Sequence, residues 1–156
     1  MDQKEILVRK VKKYLNEYNN MAAYMEINEK EIEDCESRLA SLTGSPKAPV
    51  YSLTPKGGNS NSGQPESECL EKERLTDRIK ELEGKNYDIW LKMCRVDRAI
   101  EKLKETDRKI VEGKYKNKQT WEEIAEILKS GVNYCRRHHD KAIYQMASIM
   151  FGPTAT

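Results

Sequence analysis

The chain has 156 residues, with 28 Lys+Arg against 26 Asp+Glu, a net charge of +2, and 35% charged, 37% hydrophobic and 7% aromatic side chains. That length holds one or two small domains. Leu, Ile, Val and Phe supply only 29 residues, a composition that fits long exposed helices better than a thick globule or a sheet sandwich. No apolar run approaches ~18 residues, so no membrane span is expected, and residues 1–5 lead into no signal-peptide core. Cys35, Cys69, Cys94 and Cys135 are scattered with no C-x-x-C pair, which predicts free thiols in a reducing cytoplasm.

Residues 1–43 read as one long helix. Leu7, Val11, Tyr14, Tyr18, Met21, Met25, Asn28, Ile32, Cys35, Leu39 and Leu42 alternate steps of four and three without a slip. Such a/d spacing over several heptads is the signature of supercoiled helices. Arg9, Lys10, Lys12 and Lys13 flank the inward Val11 and form a wet face. Four of the five prolines and four of the eight glycines then fall between residues 44 and 65, around the stretch Gly57-Gly58-Asn59-Ser60-Asn61-Ser62-Gly63. This composition buries too little surface to offset its ordering entropy, so 44–67 is expected to be a flexible linker. It lacks the Gly-Lys-Ser/Thr of a phosphate-cradling loop.

Residues 68–104 resume the heptads, with Leu75, Ile79, Leu82, Asn86, Ile89, Met93, Val96, Ile100 and Leu103 inward and Gly84 on the outer face. Folding the two helices into an antiparallel hairpin requires a constant index sum across each layer. A sum of 114 joins Asn28 to Asn86, Met25 to Ile89, Met21 to Met93, Tyr14 to Ile100, Ile32 to Leu82 and Leu39 to Leu75. The two asparagines then share hydrogen bonds and set the register. Pairing of each helix with its own copy in a homo-oligomer would also set Asn against Asn.

From residue 105 the pattern becomes that of short globular helices. Thr106 is placed to cap a helix reaching about Tyr115, with Ile110 and Val111 inward. After a turn at Asn117-Lys118-Gln119, Thr120-Trp121-Glu122-Glu123 has the spacing of a capping box. Ile124, Ala125 and Leu128 make the apolar face of that helix, and Trp121 reads as a packing anchor. Lys129-Ser130-Gly131 breaks the helix, and a basic helix follows from Val132 to about Met150. Its inward face reads Cys135, His138 or His139, Ala142, Met146, and Ile149 or Met150. A short helix, a turn holding Gly and a longer basic helix make a helix-turn-helix over 105–151, followed by a 152–156 tail. Residues 106–156 carry 9 basic and 6 acidic groups, so the positive excess sits here.

Leu103, Arg108, Ile110 and Tyr115, followed by Thr120-Trp121-Glu122-Glu123-Ile124-Ala125, resemble DNA-binding region four of bacterial sigma factors. The layout of heptad helix, Pro/Gly/Ser linker, second heptad helix and this motif is similar to phage and prophage transcriptional regulators of the ArpU/RinA type. The resemblance spans nearly the whole chain, with the diagnostic letters in 103–143. It implies a sequence-specific DNA-binding regulator of phage late genes, acting in the cytoplasm of a bacterial host cell. Where the family usually has Gly this chain has Lys129, and where it has a Ser cap this chain has Gly131. Glycine is an acceptable N-cap, and a non-glycine enters the left-handed region at a cost.

In a helix-turn-helix the first residues of the second helix meet base edges in the major groove. By position these are Val132, Asn133, Tyr134, Arg136 and Arg137. Arg137 suits guanine, Asn133 suits adenine, and Val132 or Tyr134 a thymine methyl. Thr120, Lys129 and Lys141 are placed for phosphates. The expected partner is double-stranded DNA, and the heptad arm would set the spacing between modules or contact RNA polymerase. Cys135, His138 and His139 give at most two ligands on one face and no second cluster completes a metal site, so neither metal nor cofactor is expected. Carboxylate pairs on heptad helices lack a cleft that would raise a pKa, and no nucleophile constellation has spacing support, so the expectation is a non-enzyme. Two other classes fit a coiled coil joined to a basic helix: a small terminase-like packaging protein that assembles as a ring, and a coiled-coil adaptor for acidic proteins.

Overall fold

The computed structural model describes residues 2–42 and 64–153, and every regular element among them is helical. Helix α1 runs Gln3–Leu42, α2 Gln64–Glu101, α3 Glu105–Val111, α4 Trp121–Leu128 and α5 Val132–Phe151, and a π-helical turn at Glu112–Lys116 continues α3. The chain is therefore all-α. The expected linker falls mostly outside the described residues, as does the end of the expected tail. Residues 64–67 correct the linker boundary, because α2 begins at Gln64. Pro65 is tolerated there because first-turn N–H groups have no intrahelical acceptor, and Glu66 favours the positive end of the helix dipole. At its other end α2 stops at Glu101 rather than 104. The N–H groups of Lys102 and Leu103 turn back onto the carbonyls of Ala99 and Ile100 (3.1 and 3.0 Å).

The described residues divide into two compact units, Tyr24–Asp88 and the combination of Met1–Ala23 with Ile89–Thr156. Among the described residues, the first unit is built from the later part of α1 and the earlier part of α2. Cys35, Leu75 and Leu82 are buried in it, and so are the two polar intruders of the heptads. Asn28 Nδ2–H donates to Asn86 Oδ1 at 2.9 Å, and Asn86 Nδ2–H donates to the Met25 carbonyl at 3.1 Å. On the rim, Arg78 reaches Glu31 (2.6 Å) and Glu81 (2.8 Å), and Arg38 reaches Glu71 (3.0 Å). Partner numbers fall along α2 as they rise along α1, so the two segments run in opposite directions. Direct hydrogen bonds from Arg78 hold the Glu31 and Glu81 carboxyls below their ordinary range, and those from Arg74 (2.9 and 2.8 Å) do the same for Glu71. Exposed pairs of this kind contribute little, so the buried apolar residues and the Asn pair determine the alignment.

The second unit packs α3, α4 and α5 with the start of α1 and the end of α2. Its main core joins Val11 and Leu15 of α1, Val96, Ala99, Ile100 and Leu103, Val111 and Tyr115, and Ala142, Ile143, Met146, Ala147 and Met150 of α5. Leu15 is completely buried although it lies off the heptad series, while Tyr14 and Tyr18 on the series are only half-buried. The reason is packing: here α1 contacts α5 as well as α2, so its buried face is wider than a two-helix seam. Tyr18 Oη–H donates to Asp97 Oδ1 (2.8 Å), and Lys116 Nζ reaches the same oxygen (2.9 Å), which ties α1, α2 and the π-helical turn together. A smaller core of Ile110, Ile124, Ala125 and Cys135 lies under α4.

Thr106 does not cap α3. The helix starts two residues earlier than that cap would set, at Glu105, with Lys104 extended at the N-cap position and no side-chain cap. The corner is secured instead by Arg108, whose Nη2 donates to the Glu101 and Leu103 carbonyls (3.3 and 3.4 Å).

Candidate nucleic-acid interface

Thr120 stands in extended conformation before α4, and its capping box is complete. The Thr120 hydroxyl accepts the Glu123 N–H at 3.1 Å, and the Thr120 N–H donates to Glu123 Oε1 at 2.8 Å. Those bonds lower the pKa of the Glu123 carboxyl. The acceptor side of the hydroxyl is thus used, while its O–H can still reach an outside oxygen. α4 ends after eight residues because Lys129 turns left-handed, at φ 54° and ψ 45°. The N–H of Ser130 bonds the Ala125 carbonyl (3.0 Å) and that of Lys129 the Glu126 carbonyl (3.2 Å), a Schellman pattern. Gly131 is extended (φ −79°, ψ 157°) and is the N-cap of α5.

The π-helical turn comes close to α4 at Gly113. A Cβ there would lie 2.5 Å from Gln119 Oε1 and 3.3 Å from Ile124 Cγ1. The turn at 117–119 also carries a left-handed residue, Lys118 (φ 54°).

One face of α5 is buried through Cys135, His139, Ala142, Ile143, Met146, Ala147 and Met150. Of the two histidines it is His139 that points inward, and Ile149 is exposed. Neutral His139 is fully partnered: its Nδ1 lies 3.0 Å from Asp140 Oδ1 and its Nε2 2.7 Å from the Tyr115 hydroxyl. With the Asp140 oxygen as acceptor, Nδ1 carries the hydrogen and Nε2 accepts from Tyr115. Burial lowers the His139 pKa below its usual value against the opposing pull of Asp140, and burial pushes Tyr115 up to about 12. His138 is half-buried and pairs with Asp107 at 2.9 Å. Burial also raises the Cys135 thiol pKa, as befits a packing residue. Among the described residues no three His, Cys, Asp or Glu side chains gather as metal ligands.

The opposite face of α5 begins with the residues expected to read bases. Asn133, Arg136 and Arg137 are exposed. Val132 and Tyr134 are not open in the same way: both are half-buried against the small core, and the Tyr134 ring lies 4.1 Å from that of His138. Lys129 and Lys141 are exposed, as is Thr120. Trp121 packs edge-on to His139 (5.2 Å) and carries two cations, with Lys114 Nζ 4.7 Å and the Arg136 guanidinium carbon 5.8 Å from its ring. Lys114 was not legible as part of this surface, because only the π-helical turn carries it beside Trp121. No helix among the described residues is long and apolar enough to cross a membrane. No family model, curated protein or solved structure matches this chain.

Proposed function

We propose that this protein is a sequence-specific DNA-binding regulator whose α3–α4–α5 module acts as a helix-turn-helix, with α5 as the helix entering the major groove. One observation carries the reading. A capped α4, a left-handed Lys129 and an N-capping Gly131 lead directly into a helix whose first two turns present Asn133, Arg136 and Arg137 outward while its other face is buried. Arg137 supplies a bidentate donor fork for guanine and Asn133 a donor–acceptor pair for adenine. Thr120, Lys129 and Lys141 supply phosphate donors that orient the module without reading sequence. Val132 and Tyr134 contribute only the edges left outside the core. The chain is read as a binding protein with no cofactor and no catalytic step. The setting comes from the sigma-region-four resemblance: control of phage or prophage late genes, with the antiparallel heptad arm spacing modules or meeting RNA polymerase.

The test is selection of bound duplexes from a random pool at ~150 mM salt, with wild type and Arg137→Ala in parallel. Wild type should enrich a defined motif, and the mutant should lose ~1–3 kcal/mol of discrimination at one base position. Binding that enriches nothing and fades as salt rises would leave only electrostatic attraction, and the packaging or adaptor role would then take its place.

A further inference from the structure

The groove along the outer side of α5 lies beyond the residues expected to meet bases. It has a volume of about 490 Å³ and is lined by Lys4 of α1 with Asp140, Lys141, Tyr144, Gln145 and Ser148 of α5. Lys4 Nζ sits 4.5 Å over the Tyr144 ring, so the first turn of α1 is laid against the second half of α5. The groove therefore offers two ammonium groups, an amide and two hydroxyls beside an aromatic wall. Its one carboxylate, Asp140, already accepts from His139 at 3.0 Å.

We infer that this groove holds the sugar–phosphate backbone of duplex DNA flanking the bases read by the start of α5, with Lys4 as a phosphate contact contributed by the N-terminal helix. The inference rests on the DNA-binding reading of α5 and deepens it. Its chemistry fits a phosphodiester chain, in which charged phosphates alternate with apolar deoxyribose. The spacing fits too. Lys141 and Tyr144 lie ~12–17 Å along the helix from Asn133 at ~1.5 Å per residue, and the major groove is ~12 Å wide. With Asn133 and Arg137 at base edges, the next feature met along α5 is the backbone at the rim of the groove. An isolated anion would need neither the length nor the aromatic wall.

The experiment measures affinity for a duplex carrying the selected motif as a function of salt, for wild type, Lys4→Gln and Gln145→Glu, with circular dichroism confirming the helical fold of each. Removing one phosphate contact should make the slope of log K against log salt shallower by ~0.9, so Lys4→Gln should lose ~3-fold less affinity than wild type between ~50 and ~200 mM salt, with the motif unchanged. Gln145→Glu places a charge against the same phosphates and should weaken binding at low salt more than at high salt. Wild-type slope and affinity in both variants, with wild type binding its motif, would overturn the inference and leave the DNA-binding reading standing. A changed motif in Lys4→Gln would overturn it as well, since Lys4 would then touch bases. Failure of wild type itself to bind duplex DNA would remove the DNA-binding reading and this inference together.

Discussion

At His139, burial and the neighbouring Asp140 carboxylate act in opposite directions. Its ring is enclosed by Tyr115, Trp121 and Asp140, and Lys12 and Lys114 add positive charge that disfavours protonation. The folded pKa is therefore below the unfolded value of ~6.5. Above ~6.5 both states hold neutral imidazole and the full stability is present. As pH falls through ~6.5 the unfolded chain takes up a proton that the folded chain refuses, so stability declines until the lower folded pKa is reached. Thermal melting should show wild type losing stability between pH ~7.5 and ~5.5, and His139→Gln, which keeps a partner for Tyr115 but cannot titrate, losing less over that window. Parallel curves for the two proteins would mean that His139 binds its proton equally in both states.

At the level of elements, the break between α4 and α5 is where sequence chemistry and geometry are in tension. Lys129 occupies a left-handed position that glycine fills without steric cost, and an L side chain there costs ~1–2 kcal/mol. Lys129→Gly should raise stability by ~1 kcal/mol after the larger chain entropy of glycine is counted. The same change removes a proposed phosphate donor, so duplex affinity should fall while the melting temperature climbs. A variant that melts lower would show that the lysine stem contributes more than its backbone conformation costs.

The elements themselves were largely legible because each carries a local signal. The Thr120–Glu123 box has a fixed spacing, and Gly131 interrupts a periodic pattern. What was not legible depends on neighbours distant in sequence. Leu15 is buried because α5 lies against α1, and at Gly113 a Cβ would come within 3.3 Å of Ile124 Cγ1. Thr106 has the chemistry of a cap, yet Arg108 bonding back to the end of α2 fixes where α3 begins. Lys4 has no local feature distinguishing it from Arg9 or Lys13, and only its position over Tyr144 makes it part of a surface. Val132 and Tyr134, expected at base edges from their place at the start of α5, are half-buried because a small core gathered from distant residues lies against them.

For the molecule as a whole, the two units differ in how much each buries. The unit containing α3, α4 and α5 holds the larger apolar core and the exposed cations of α5, while the Tyr24–Asp88 unit is a two-stranded arm with few fully buried side chains. An arm with so thin a seam depends heavily on the groups it does bury. Asn28 and Asn86 are buried polar residues, and each is hydrogen-bonded to the other helix. Asn86→Ala leaves the Asn28 Nδ2–H without its acceptor and should destabilise the arm by ~1–3 kcal/mol. Because the partner lies on the same chain, the melting temperature of wild type and variant alike should be independent of protein concentration. A melting temperature that climbs with concentration would show that the arms pair between copies, since only an intermolecular pairing is governed by mass action. Under the proposed DNA-binding role, the spacing of half-sites would then be set by a dimeric arm and not by a single folded chain.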